Sequence, residues 1–292
     1  MPADTVRRLF FVAHYFWVSL PDCPRMLESA FPLGTLIAFG GGDDDALLAK
    51  LCALLPSPEL PVEIITTASR SVAATATGYE QALRELGCQQ VHHLAIDEHH
   101  PADHPATLRR LHQAALVLFT GGDQERITDF LAGTEFLRVL RHRFQTDAAF
   151  LVAGTSAGAA ALPAYMLVDG HGWRALRKGG IQVLPGLNLL PHLFIDQHFI
   201  ERARFGRLAH ALLTHANCLG LGLAEETGVI IRGGQQAEVF GYGQVVLLDG
   251  GQLHGNNLGR IGRGEPVSVQ GLRLHLLVQG QHLNVRTGKV AE

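Results

Sequence analysis

The pentapeptide Gly154-Thr155-Ser156-Ala157-Gly158 has the G-x-S-x-G spacing of a nucleophile elbow. It follows the apolar run Ala148-Ala149-Phe150-Leu151-Val152-Ala153, which reads as a buried strand, and precedes Ala159-Ala160-Ala161-Leu162, which can start a helix. Between strand and helix, the glycines leave room for a strained turn that pushes the Ser156 hydroxyl out at the carboxyl end of a sheet. The N–H of Ala157 then points to where an oxyanion would form. The competing explanation is a plain strand–turn–helix junction whose small residues serve close packing.

A serine hydroxyl is a weak nucleophile until a base takes its proton, and the usual base is a histidine oriented by a carboxylate. Eight histidines lie downstream of Ser156, and His198 stands out by its neighbours. Asp196-Gln197-His198-Phe199 precedes Arg202, Arg204 and Arg207. A helix beginning near His198 would put Arg202 one turn on along the same face, with Arg204 and Arg207 paired at i, i+3. Such cations suit a carboxylate-bearing substrate; they equally suit a helix whose arginines pair with its own acids, such as Glu201. For the orienting acid, Glu225 and Glu226 end the strand-like run Leu219 to Ala224, and residue types alone leave the choice between them open.

These residues need a frame to bring them together. Strands are expected at Thr35–Phe39, Val62–Thr67, Gln90–Ile96 and Ala114–Thr120, with the strand before Ser156 as the fifth. Helical spacing covers Ala46–Leu55, Thr75–Leu86, Pro105–Gln113 and one or two helices from Arg126 to Phe144. Strands alternating with helices through short loops give an α/β fold: a mostly parallel sheet flanked by helices, with the nucleophile elbow after a central strand. Active sites of such sheets form at the carboxyl ends of the strands, where Gly40–Asp43, Gly121–Gln124 and Ser156 fall. Beyond about residue 225, short alternating runs (Val229–Arg232, Ala237–Gly241, Gln244–Leu248, Leu272–Val278) predict an antiparallel C-terminal extension joined to the same sheet.

Composition narrows the function classes. Of 292 residues, 47% are hydrophobic and 17% charged, enough for a sizeable core, and the net charge of −3 argues against a nucleic-acid binder. Cys23, Cys52, Cys88 and Cys218 show no C-x-x-C pairing and read as free, mostly buried thiols of a reduced compartment. The histidines at 92, 93, 99, 100 and 104 match no metal-ligand spacing and read as a solvated strand end and loop. Gly40-Gly41-Gly42-Asp43 lacks the spacing of a phosphate-binding loop, and the acidic run Asp43-Asp44-Asp45 suits a helix N-terminus instead. Arg7-Arg8 before Leu9–Leu20 has the look of a signal peptide, but Asp4, His14 and Tyr15 interrupt it, no A-x-A follows, and the run is too short to span a bilayer. Residues 1–33 are therefore expected to be an N-terminal extension that is buried or faces a partner. The expected location is cytoplasmic, with export left open and no membrane partner.

The Gly154–Ala159 elbow, Thr120-Gly121-Gly122-Asp123-Gln124 and Asp196-Gln197-His198-Phe199 with its arginines resemble the cyanophycinases, serine peptidases of family S51 related to the bacterial α-aspartyl dipeptidases. The resemblance runs from about Gly34 to the C-terminus, so residues 34–292 are expected to form the catalytic domain. It implies Ser156 as nucleophile, His198 as general base and Glu225 as the third triad member, although Ala224 stands where the family usually has an aspartate. It also places Gln124, Asp196, Gln197, Arg202, Arg204 and Arg207 along the substrate groove. The substrate implied is cyanophycin, a polyaspartate backbone with arginine on each side-chain carboxyl, released as β-Asp-Arg dipeptides. The oxyanion would sit between the N–H of Ala157 and one from Gly121 or Gly122. No metal or organic cofactor is required, and the family resemblance implies a homodimer. Two competing classes are an aspartyl dipeptidase or other serine hydrolase on the same elbow, and a non-catalytic binding relative.

Overall fold

The computed structural model describes residues 31–291. The expectations for Cys23 and for most of the N-terminal extension lie outside the described residues. The first half alternates as expected: β1 (Thr35–Phe39), α1 (Asp45–Leu54), β2 (Val62–Ile65), α2 (Val72–Glu85), β3 (Val91–His93), α3 (Pro105–Gln113), β4 (Leu116–Phe119), α4 (Gln124–Leu131), α5 (Glu135–Thr146), β5 (Leu151–Thr155) and α6 (Ala157–Ala161). The helical stretch after residue 124 divides in two at Gly133, whose positive φ of 76° ends α4, and Thr134, whose hydroxyl accepts the N–H of Leu137 to start α5.

The second half holds β6 (Tyr165–Asp169), a short 3₁₀ turn (Gly172–Leu176), β7 (Gln182–Pro185), β8 (Leu193–Asp196), α7 (Phe205–Thr214), β9 (Leu219–Leu223), β10 (Thr227–Arg232), β11 (Gln236–Gly241), β12 (Val245–Asp249), β13 (Arg273–Leu277), β14 (His282–Asn284) and β15 (Val290–Ala291). Among the described residues, nine strands form the main sheet in the order β15-β14-β11-β10-β1-β5-β4-β2-β3. From β1 to β3 the pairings are parallel; from β1 outward through β10 they are antiparallel. β5, which carries the elbow, is central. β4 and β5 are buried along their whole length, as parallel strands covered on both faces must be. One apolar cluster containing Phe119, Phe136 and Phe144 and another containing Phe39, Leu47 and Leu51 form the core.

The C-terminal extension departs from the sequence expectation in one respect. β10, β11, β14 and β15 do continue the main sheet, but β12 and β13 do not. They join β9 and β8 in a second sheet of order β13-β12-β9-β8. Gly220 and Gly222 let β9 pack closely on its cover: a Cβ on Gly220 would stand 2.9 Å from Leu208 of α7, and one on Gly222 2.4 Å from Phe199. This strand is shaped to pack beneath α7 and the segment before it, and its neighbours go with it. Alternation of residue type reports which face of a strand is buried, not which strand lies beside it.

Candidate active site

Ser156 sits at the junction of β5 and α6 with φ 50° and ψ −116°, a conformation that L-residues seldom adopt. The elbow closes because its two glycines carry no side chain. A Cβ on Gly154 would lie 2.6 Å from the backbone of Gly158, and one on Gly158 2.2 Å from the carbonyl of Phe119. The Ser156 N–H donates to the Phe39 carbonyl at 3.0 Å, which ties the turn to the end of β1. Ala157 opens α6, so its N–H has no acceptor one helical turn back. Gly121 abuts the serine: a Cβ there would stand 3.3 Å from Ser156 Cβ.

His198 follows β8 in a left-handed turn (φ 45°), its N–H donating to the Gly40 carbonyl at 2.9 Å. Its Nε2 lies 2.8 Å from Ser156 Oγ, and its Nδ1 lies 2.6 Å from Glu225 Oε1. With Nδ1–H donating to the carboxylate, Nε2 is left as the acceptor for the serine proton. Glu225 follows β9, while its neighbour Glu226 is exposed and turned away at φ 53°, its N–H donating to the Gly41 carbonyl. The ends of β1, β5, β8 and β9 are thus knitted together by main-chain bonds around the three side chains. Burial holds the His198 pKa below the ordinary histidine value, and the cations of Arg202 and Arg204 push the same way, against the upward pull of Glu225.

The remaining expected residues divide by depth. Gln124, half-buried at the start of α4, donates to the Leu167 carbonyl at 3.1 Å. Arg202 is exposed. Asp196 and Arg207 are 1% and 2% exposed and grip each other through two hydrogen bonds, so both lie beneath the surface rather than in an open groove. Arg204, 6% exposed, donates to the main-chain and side-chain oxygens of Gln197 at 2.6 Å. Its Nε is a buried donor without an acceptor among the described residues, and burial lowers its pKa to about 10. The helix expected to begin near His198 begins instead at Phe205. His198 and Ala203, at φ 45° and 49°, hold the intervening chain in turns, and α7 starts once Arg204 is anchored.

One group escaped the sequence reading. Asp44 accepts hydrogen bonds from Tyr79 and, at 2.8 Å, from Thr155 Oγ1, next in sequence to Ser156. Burial raises its pKa. In the sequence it is only part of an acidic run at a helix start. Its partner Thr155 is 111 residues away, so no local pattern could signal the contact.

Three histidines of the 92–104 segment bond to neighbouring polar groups. His93 meets Thr66 at 2.8 Å, His100 meets Asp97 at 2.8 Å, and His104 caps α3. Cys88 and Cys218 are buried and Cys52 is half-buried, with the Cys52 and Cys88 thiols in hydrogen-bond contact at 2.9 Å.

A mostly parallel sheet with a serine elbow beside a histidine and a carboxylate defines a hydrolase that works through a serine. The sequence model of Peptidase family S51 matches residues 36–239. The chain belongs to this family and is a serine-type peptidase. Its relatives include the cyanophycinase of Synechococcus elongatus, 31% identical over 88% of this chain and 81% of that protein. The cyanophycinase of Trichormus variabilis is 31% identical over 90% of this chain and 91% of its own length. Among solved structures, a peptidase from an acI-B1 Actinobacterium shares the fold at a TM-score of 0.62 and 21% identity, covering 88% of this chain and 98% of that one. Among the described residues no helix is long and apolar enough to cross a membrane.

Proposed function

We propose that the protein hydrolyses cyanophycin to β-Asp-Arg dipeptides by acyl transfer through Ser156. The observation that carries the chemistry is the hydrogen-bonded chain from Ser156 Oγ to His198 to Glu225 at the elbow. As the hydroxyl attacks an aspartyl backbone carbonyl, His198 Nε2 takes its proton, and Glu225 stabilises the imidazolium that forms. The negative charge on the former carbonyl oxygen is met by the N–H of Ala157 and one from Gly121 or Gly122. A single such donor is worth about 10²–10³ in rate. His198 then passes its proton to the leaving amine. Water attacks the acyl-enzyme with the same base, restoring Ser156.

The substrate assignment draws on the cyanophycinases that are 31% identical over most of this chain. Local chemistry supports it. Exposed Arg202 and half-buried Gln124 offer donors to carboxylates, and the unpartnered Arg204 Nε is a buried donor awaiting an acceptor. Asp196 and Arg207 serve beneath them, holding the segment that carries Gln197 and His198.

The test is incubation of the purified protein, and of Ser156→Ala, with insoluble cyanophycin, with soluble products read by mass. Release of β-Asp-Arg by the unaltered protein alone is expected. No release, with Ser156 still labelled by a serine-reactive phosphonate, would overturn the substrate and redirect the search to α-aspartyl dipeptides.

A further inference from the structure

A cavity of about 500 Å³ is lined by Asp169, His171, Arg174 and Arg263 among others. It is a built feature. The segment that carries it is pinned to the loop opposite: Lys178 Nζ donates to the carbonyls of Leu258 and Ile261 at 2.7 and 2.8 Å, and Arg177 Nη1 to that of Gly264 at 2.7 Å. Main-chain bonds from Lys178 to Glu265 and from Val267 to Leu176 complete the brace. Arg263 lies across Gly179, where an added Cβ would stand 3.2 Å from its side chain.

The cavity brings two arginines and one acid together. Among the described residues, neither Arg174 nor Arg263 makes an ion pair, although both are exposed. The acid that shares the cavity, Asp169, accepts the Gly170 N–H at 2.6 Å and has His171 at 3.5 Å, with no arginine or lysine paired to it among the described residues. Trp173, next to Arg174 in sequence, is 64% exposed and flanked by the guanidinium groups of Arg174 and Arg177 at 5.6 and 4.7 Å from its ring. Free guanidinium forks take carboxylates, a free carboxylate takes a guanidinium, and an exposed indole stacks on one. Each unit of an aspartate–arginine polymer carries one carboxylate and one guanidinium.

Position joins this cavity to the reaction. Gly170, next after β6, packs so closely on Arg207 that a Cβ there would stand 3.0 Å from Arg207 Cβ. Arg207 in turn holds Asp196, two residues before His198. The wall of the cavity is therefore also the cover of the pair beneath the triad.

We propose that this cavity is a second substrate site, in which Arg174 and Arg263 hold the carboxylate, and Asp169 the guanidinium, of a polymer unit beyond the one being cut. The inference rests on the cyanophycin reading given above. Its consequence is that oligomers bind better than their units.

The test uses calorimetric titration of the full chain as Ser156→Ala, with a synthetic four-unit oligomer of the cyanophycin linkage and with β-Asp-Arg. The oligomer is expected to bind more tightly than the dipeptide. Arg174→Ala with Arg263→Ala is expected to weaken the oligomer about ten-fold, since two partly solvated contacts are lost. The same change in the active protein should raise KM for the oligomer by a similar factor. Melting temperatures of the variants check that they are folded. Oligomer affinity and KM unmoved by the double change would overturn the second site and leave the hydrolysis reading intact. Oligomer binding that needs these arginines, without any cleavage by the active protein, would keep the site and overturn the hydrolysis. Neither binding nor cleavage would overturn both.

Discussion

Gly41 lies between Ser156 and His198, the proposed nucleophile and base, and replacing it by alanine tests the geometry most sharply. Its φ is 92°, and a Cβ there would stand 2.5 Å from His198 Cε1, 2.7 Å from Nε2 and 3.2 Å from Ser156 Cβ. Ordinary contact begins at 3.4 Å, so the imidazole must retreat by about 0.9 Å. A 2.8 Å hydrogen bond to Ser156 Oγ does not survive such a shift. Misplacement of about 1 Å costs about 10²-fold in rate, within the 10²–10⁴-fold span of general-base catalysis. The left-handed backbone adds about 1–2 kcal/mol of destabilisation, or a fall of about 2–8 °C in melting temperature. We expect Gly41→Ala to remain folded at 25 °C and to lose at least about 10²-fold in kcat/KM on cyanophycin and in the rate of phosphonate labelling. Gly78→Ala is the control. Gly78 lies within α2 with nothing within 4 Å of an added Cβ, so it should gain about 0.5–1 kcal/mol and keep its activity. Gly41→Ala with labelling within about three-fold of the original and an unchanged melting curve would refute the placement of His198 on which the 10²-fold loss rests.

Further outcomes can be measured on the same preparations. Glu225→Gln should cost about 10²–10⁴ in kcat, because an amide can hold His198 in the wrong tautomer, whereas Glu226→Gln should stay within about three-fold; equal losses would refute the assignment of Glu225. The His198 pKa is lowered by burial and by the cations of Arg202 and Arg204. The base works neutral, so activity is lost as pH falls through that pKa, and the acid limb of kcat/KM is expected below the ordinary histidine value near 6.5. Arg202→Ala relieves the imidazolium of a repelling cation, so this limb should move to higher pH; movement to lower pH would contradict the electrostatics. Arg207→Ala leaves the Asp196 carboxylate buried without its main partner and should cost about 3–5 kcal/mol of stability in urea unfolding. A loss of activity at unchanged stability would instead assign Arg207 to direct substrate contact.

Much of this protein was legible along the chain because the relevant physics is local. β1 spans Thr35–Phe39 as its apolar run predicts, and the elbow declares itself because a sharp strand-to-helix turn needs small residues at fixed offsets from the serine. The alternation of strand and helix specified a parallel sheet with its chemistry at the strand ends, since handed crossovers leave few other arrangements. The resemblance to the cyanophycinases likewise rested on short motifs.

Tertiary structure decided what depends on contacts between distant segments. Glu225 and Glu226 are both strand-end acids in the sequence; the backbone turn at Glu226 sends that side chain outward and leaves Glu225 on His198. The sequence resemblance places Asp196, Arg204 and Arg207 along a substrate groove, yet they are buried: Asp196 ends β8, Arg204 is anchored just before α7, and Arg207 in the first turn of α7 folds back onto Asp196. β12 and β13 pair with β9 rather than with the main sheet, a choice of neighbour that alternation of residue type does not encode. The Asp44–Thr155 contact and the cavity of Arg174 and Arg263 join segments far apart in sequence. In each case the deciding quantity is a distance between side chains on different elements, which exists only once the chain has folded.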